Sequence, residues 1–271
     1  MDGGRYEPEA YWDAKARAAG GDRLRAVALD CPLRNRVMDR VQRQGVAAAL
    51  EVLAHRGATP TSVLDFGCGV GRWRELFESL GARWAGCDLS GEMVKRAEES
   101  APGRQVRKLE TGGRLPWEAQ CFDLALSIAV LHHNPAREQA RWLRELARVV
   151  RPGGHVLLLE SVRAEGGEAV ARGIEQPRSI GEWRDLAAAA GLTLLWHRGA
   201  KYALAASVAQ RFPGALGAAG ARLGAWADAW LAPWLGPKLP ERMQDRAAML
   251  LLRDDPARTA LSEHGTSLRY Q

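Results

Sequence analysis

Two stretches of this chain hold residues whose types and spacing could do chemistry: "SVLDFGCGVGRW" from Ser62 and "AVLHHNP" from Ala129. In the first, a short apolar run meets Asp65. Gly67, Gly69 and Gly71 follow at alternate positions before a helical pattern begins. A strand that ends in a glycine-rich turn and opens a helix lets the backbone approach a nucleotide-like ligand closely. A dinucleotide fingerprint asks for G-x-G-x-x-G, but Arg72 stands where its third glycine would be, so no pyrophosphate is required. Asp88 ends the next strand pattern, "WAGCDLS", where a carboxylate accepts hydrogen bonds from both ribose hydroxyls. That arrangement is shared with NAD sites and implies an adenosine-type ligand without choosing among them. In the second stretch, His132 and His133 follow a strand pattern at the edge where open α/β sheets bind ligands. A neutral imidazole there could take a proton from a hydroxyl or ammonium group, or could simply pack and hydrogen-bond within the loop.

The elements that must position these residues are legible from periodicity. Residues 1–58 read as a helical cap, in which "PEAYWDAKARAAG" and "PLRNRVMDRVQRQGVAAALEVLAHRG" place Val37, Val41, Val46, Leu50 and Leu53 at helical spacing. Gly57 and Pro60 end that segment. From Thr61, short apolar strands alternate with helices of 10–15 residues: "SVLDF", "ARWAGCDLS", "QVRKLE", "CFDLALSIAVL" and "HVLLLES" are the strands, and "RPGG" closes the helix before the last of them. This alternation predicts βαβ units and a parallel sheet covered on both faces. Beyond a Gly/Glu-rich loop, Ser179 stands as N-cap of a helix with Glu182 three residues on. "LTLLWHRG" and "RAAMLLLRD" are the last two strands. The chemistry-bearing domain is thus expected within residues 59–255, with a helical insert at 200–243 and a tail at 256–271. The insert places Trp226, Trp230 and Trp234 on one helical face, suited to core packing, a substrate lid or a contact surface.

Composition narrows the partners. The chain has 271 residues, of which 46% are hydrophobic and 26% charged, as in a water-soluble globular protein. The N-terminus is polar, without a basic start and apolar run, and no apolar run reaches membrane length. Four cysteines (Cys31, Cys68, Cys87, Cys121) lack CxxC spacing and histidine neighbours. No metal site and no disulfide framework are expected, and the reducing cytoplasm is the expected compartment. Net charge is +6, but the arginines are mixed with acids throughout and form no basic block, so no nucleic-acid module is indicated.

"VLDFGCGVGRW", "GCDLSGEMVKRA", "LPWEAQCFDLALSIAVLHHNP" and "LRELARVVRPGGHVLLLES" together resemble, in order and spacing, the class I S-adenosylmethionine-dependent methyltransferases over about residues 61–161. The resemblance implies a Rossmann-like α/β fold: a seven-stranded sheet, mostly parallel with an antiparallel last strand, and helices on both faces. Residues 59–255 would be the methyltransferase domain, with S-adenosyl-L-methionine as its cofactor. Asp65 and Gly67 would lie beside the methionine moiety, Gly69 and Gly71 would shape the turn, Asp88 would hold the ribose and Leu89 would lie against the adenine. Ile128, just beyond the fourth strand, would offer its carbonyl to the cofactor's ammonium. The acidic residue that commonly accepts from the adenine amino group is replaced by Thr111, with Gly112 beside it and Glu110 as a possible substitute. Tyr11 and Trp12 would close over the cofactor from the N-terminal helix. His133, and less so His132, are the candidate bases. The expected reaction is methyl transfer to an oxygen or nitrogen of a small organic molecule by a monomer or homodimer. The alternatives are an RNA or protein methyltransferase and a non-catalytic cofactor-binding partner.

Overall fold

The structure, a computed structural model, describes residues 7–20, 32–166, 174–202 and 244–255. The tryptophan-bearing part of the insert (203–243) and the tail (256–271) lie outside the described residues.

Two helices precede the sheet. α1 (Pro8–Ala19) begins on a proline, whose missing N–H costs nothing in a first turn, and ends at Gly20. α2 (Pro32–His55) is a continuous helix. Then follow β1 (Ser62–Phe66), α3 (Arg74–Ser79), β2 (Arg83–Asp88), α4 (Gly91–Ser100), β3 (Gln105–Lys108) and β4 (Phe122–Ile128). A 3-10 turn (Leu131–His133), α5 (Ala136–Val149), β5 (Val150–Ser161), α6 (Ile180–Ala188), β6 (Leu192–Tyr202) and β7 (Gln244–Arg253) complete the described chain.

The strands form one seven-stranded sheet in the order β3-β2-β1-β4-β5-β7-β6. β1 to β5 run parallel, while β7 lies antiparallel to both β5 and β6, as the resemblance implies. The order reverses between β1 and β4. At such a reversal the connections leave in opposite directions and open a crevice at the carboxyl ends of the two strands. The glycine turn follows β1 and the paired histidines follow β4, so the fold delivers both chemical stretches to that crevice.

Alternating side chains explain why the strands read as unbroken apolar runs. Leu64, Ala125, Val156, Leu158, Met249 and Leu251 face α5 and α6, packing with Trp142, Leu146 and Trp183. Val63, Leu124, Leu126, Leu157, Leu159 and Leu250 face the other way, against Val46, Leu53, Trp73 and Phe77. Both faces are covered, so neither can be polar.

One boundary differs from the sequence reading. "RPGG" does stop α5, but Val150 already pairs with Phe122, and pairing resumes only at His155 opposite Leu124. The four residues therefore form a bulge inside β5, with Gly153 in the left-handed region (φ 74°).

The helix start at Ser179 is as the sequence indicates. Its side chain accepts from Glu182 N, and the Glu182 carboxylate accepts from Ser179 N at 2.8 Å. This reciprocal cap satisfies two otherwise orphaned donors and seats Trp183 in the core. Ser179→Ala should cost about 1 kcal/mol, read as a lower urea midpoint with an unchanged slope. An unchanged midpoint would mean that the cap contributes no net stability.

Candidate active site

The glycine turn is held from its neighbours' backbones. Gly67 N and Cys68 N both donate to Cys87 O, at 2.8 and 2.9 Å, locking the turn to the end of β2. Gly67 cannot be replaced cheaply: its φ is +69°, and a β-carbon there would lie 2.3 Å from a Val130 methyl. The turn after β1 therefore interlocks with the loop after β4. Cys68 and Cys87 are buried in the core beside it, and burial pushes both thiols well above their usual range.

Asp88 is aimed by backbone donors. Its Oδ2 accepts from Gly69 N at 2.8 Å and its Oδ1 from Ser90 N at 2.9 Å. Burial raises its pKa, and these donors offset part of that rise. Each oxygen keeps a second lone pair, which a diol could use. Ser90 caps α4, accepting from Met93 N, and its hydroxyl donates to Asp13 on α1. Asp13 also accepts from Glu92 N at 3.2 Å. A carboxylate at a helix N-terminus is favoured electrostatically, and here it docks α1 over the crevice.

A cavity of about 430 Å³ occupies the reversal. Gly67, Gly69, Asp88 and Leu89 line its β1–β2 side, with Thr111 and Gly112 beyond β3. Ile128, Val130 and His133 line its β4 side, and Trp12 covers it from α1. Val130 apart, these are the residues singled out from sequence that the structure brings together.

Four others stand behind the wall. Asp65 lies beneath the turn, its Oδ2 accepting from Trp84 Nε1 at 3.3 Å. Gly71 packs against the Trp84 ring. Tyr11 is edge-on to Trp12, with centroids 5.1 Å apart, and does not line the cavity. His132 is completely buried and also absent from the lining, which removes it from direct contact with a bound acceptor. Two smaller corrections apply: Ile128 is the last residue of β4 rather than beyond it, and Glu110 does not line the cavity.

The β4 loop is shaped by a residue that the sequence reading passed over. Glu160, fully buried near the end of β5, accepts from Ser127 Oγ at 2.7 Å, Leu131 N at 3.1 Å and His132 N at 3.2 Å. Its second oxygen also meets His132 Nδ1 in a short contact. Ala129, in the middle of this loop, has a φ of 60°, a conformation that costs a non-glycine residue of order 1–3 kcal/mol unless its surroundings enforce it. Ala129 N is tied to Leu159 O at 2.8 Å, and Glu160 holds the residues that follow. The signal for Glu160 was present: a lone acid in the apolar run "HVLLLES" must be paired if buried.

Around the histidines the polar groups form a cluster. Arg246 on β7 donates to Glu175 Oε1 at 2.8 Å and approaches His132 Nε2 at 3.3 Å. Ser161 Oγ donates to Glu175 Oε2 at 2.6 Å. Burial would raise the Glu175 pKa, but Arg246 first and the histidines next bring it down to about 2. His133 is pushed down to about 3, by burial first and then by His132 and Arg246 against the opposing pull of Glu175. The imidazole is thus neutral throughout the physiological range, and its ring meets the Trp12 edge with centroids 5.3 Å apart.

Other walls were not singled out from sequence. Trp73, Phe66 and Trp142 line the cavity, the last two with centroids 5.0 Å apart. Arg72, also in the lining, is fixed by Asp39 at 2.6 Å and by Gln42, both from α2. Bulky aromatic residues scattered over three elements have no common period, so only the fold gathers them.

Asp65 gives a pH prediction. Burial raises it to about 7, against the lesser opposing effects of Trp84 and Arg72. An unfolded aspartate titrates near 3.9, so between about pH 4 and pH 7 the folded chain binds more protons than the unfolded one. Stability without ligand should therefore fall as pH rises through that window, by up to about 1.4 kcal/mol for each pH step of one, and level off above it. Asp65→Asn, which can still accept from Trp84, should flatten this loss. Equal slopes in the two proteins, measured by urea unfolding from about pH 4 to 8, would exclude Asp65 as its source.

Residues 64–158 match the family described as "Methyltransferase domain". The chain is 37% identical over 114 residues to the tRNA (carboxymethyluridine(34)-5-O)-methyltransferase of Arabidopsis thaliana, covering 42% of this chain and 26% of that one. It is 34% identical over 103 residues to the 2-methyl-6-phytyl-1,4-hydroquinone methyltransferase of Synechocystis sp., covering 37% and 32%. The chain thus spans less than half the length of the curated relatives it matches. In fold it is similar to Burkholderia thailandensis 1,6-didemethyltoxoflavin-N1-methyltransferase, solved with S-adenosylhomocysteine, at a TM-score of 0.54 and 18% identity over 94% of each chain. Strand order, the turn geometry at the reversal and the family match from β1 to β5 agree: residues 64–158 match a methyltransferase domain, on a fold shared with S-adenosylmethionine-dependent methyltransferases.

Proposed function

We propose that this chain transfers the methyl group of S-adenosylmethionine to an oxygen or nitrogen of a small organic molecule. The observation that carries this reading is one cavity, walled by indole and apolar side chains, that runs from Asp88 on the β2 side of the crevice to His133 on the β4 side. In it the cofactor would lie with its ribose on Asp88, its adenine against Leu89 near Thr111 and Gly112, and its methionine end over Gly67 and Gly69. Gly71 and Asp65 would support the turn from behind, Ile128 would meet the ammonium, and Trp12, backed by Tyr11, would cover the ligand. Asp65 and Asp88 both have pKa values raised by burial. A sulfonium that also carries an ammonium favours their ionised forms.

Methyl transfer from a sulfonium is an in-line displacement, so alignment of the acceptor accounts for much of the rate. Trp12, Trp73 and Trp142 offer flat, rigid surfaces for that purpose. His133 is the titratable ring that faces this space, while His132 acts from behind it. A second reading is favoured by a specific finding, the tRNA methyltransferase among the relatives: an RNA base could be the acceptor.

Calorimetry should show binding of S-adenosylmethionine or S-adenosylhomocysteine and none of NAD. Asp88→Ala should weaken that binding by about 1–3 kcal/mol, the cost of leaving buried polar groups unpaired. Unchanged affinity would remove Asp88 from the site. Incubation with methyl-labelled cofactor and a fractionated extract then decides the acceptor. Label in small organic products supports the proposal. Label in RNA, with binding that persists at moderate salt, would replace it with the second reading.

A further inference from the structure

We propose that His132 Nε2, His133 Nδ1 and a carboxylate oxygen of Glu175 form a binding site for one divalent cation of the zinc class, which enters in exchange for the Arg246 guanidinium. This goes beyond the methyl-transfer reading and stands without it.

The donor atoms converge. One atom from each of the three side chains lies within 4.8 Å of the others, and His132 Nε2 is 3.7 Å from Glu175 Oε1. Two ligands on a tetrahedral zinc ion, each about 2.0–2.1 Å from it, sit roughly 3.3 Å apart. The required contraction is well within side-chain reach. Two imidazoles and one carboxylate are also a ligand set that suits zinc and its first-row neighbours rather than magnesium or calcium.

The surroundings are those of ligands already oriented. His132 Nδ1 meets both the Glu160 carboxylate and, at 3.3 Å, Ser161 N; the carboxylate can only accept, so a ring proton on Nδ1 suits the closer contact, and the Nε2 lone pair then faces Glu175 and Arg246. A carboxylate behind a histidine is the usual outer partner of a metal-bound imidazole. Ser161 Oγ holds Glu175 Oε2, which leaves Oε1 turned toward the histidines.

Among the described residues, two buried atoms here have no partner in hydrogen-bonding geometry, His133 Nδ1 and Arg246 Nε, although the Ile174 backbone acts on the His133 ring. Orphaned buried polar atoms are uncommon and call for an explanation, such as an ion or water. A cation bound to His133 Nδ1 satisfies the first. Release of the guanidinium from its incomplete set of partners satisfies the second. Arg246 supplies the positive charge that Glu175 and Glu160 need when the metal is away, so the two cations are alternatives. Because His133 also lines the cavity, the bound ion would stand at its wall.

The test uses the full chain, freed of metal with a chelator. Zn²⁺ is titrated in competition with a chromophoric chelator, and Co²⁺ is titrated while its d–d absorption is recorded. The expected result is one equivalent bound, with a Co²⁺ spectrum typical of low-coordinate nitrogen and oxygen ligation. His133→Ala and Glu175→Gln should each weaken Zn²⁺ at least about tenfold, the lower end of what even outer partners contribute. Arg246→Gln should tighten it, a gain that misfolding cannot imitate. The proposal is overturned if the unmodified chain shows no saturable binding and no Co²⁺ band. It is equally overturned if the His133 and Glu175 variants bind as the parent does, or if Arg246→Gln binds no more tightly. Cofactor binding by calorimetry, run on the same samples, reports separately on the methyl-transfer reading.

Discussion

The buried Glu160 carboxylate is the constraint on which the crevice depends. Taking such a group out of water is costly unless its lone pairs are filled by donors. Here the donors come from Ser127 at the end of β4 and from the loop that follows it. The chain beyond β4 is thereby wrapped around one point on β5. The left-handed Ala129 is held in place, and Val130 is pressed against Gly67. Through that contact the loop after β4 meets the turn after β1, and Gly69 carries the linkage on to Asp88. The two lips of the strand-order reversal are thus coupled by one acid that does not itself line the cavity.

The same region concentrates buried and partly buried carboxylates. Asp65 and Asp88 sit on the β1–β2 side, Glu160 and Glu175 on the β4–β5 side, with Arg72 and Arg246 as the nearby cations. On the first side burial outweighs the available donors and both acids are pushed upward. On the second, Arg246 prevails and Glu175 is pushed down. One side of the cavity thus gains from a cationic ligand, while the other already holds a resident positive charge. A cofactor that is itself a sulfonium is suited to such an asymmetry.

Local patterns in the sequence were enough for the architecture. Strict apolar runs in "SVLDF" and "HVLLLES" arise because both sheet faces are covered, and the Ser179–Glu182 cap is a three-residue signal that needs no tertiary knowledge. The glycine turn and Asp88 were legible for the same reason: their roles follow from backbone geometry at strand ends. What sequence could not reveal was depth. Asp65 and Gly67 are two positions apart, yet one lies under the turn and the other in the cavity wall, because the left-handed backbone at Gly67 bends the chain out of the strand. Adjacent His132 and His133 follow one 3-10 turn with their rings packed together, centroids 4.2 Å apart, yet only the second lines the cavity while the first is enclosed in the core. Glu160, Glu175 and Arg246 come from β5, the segment ahead of α6, and β7, and no spacing rule links residues so far apart along the chain.

The docking of α1 has a kinetic side. Pro8 and Trp12 form part of the cavity wall, yet α1 places only Ala16 and Ala19 fully in the interior, and its polar attachments are made at its surface: Asp13 with Ser90 and Glu92, Glu9 with Lys108 at 2.6 Å, Arg17 with Glu92 at 3.6 Å, and Arg96 with the Gly20 carbonyl. A strand such as β4 is bonded on both sides and buried on both faces, so it can open only with the whole domain. A helix held by a few small side chains and a capped helix end can lift at far lower free energy. The slowest step of a catalytic cycle then need not be bond exchange. Were the spent cofactor to leave past that helix, its departure would set a separate clock, whose rate would answer to salt and to the lifetime of the carboxylate contacts of Asp13, Glu9 and Glu92.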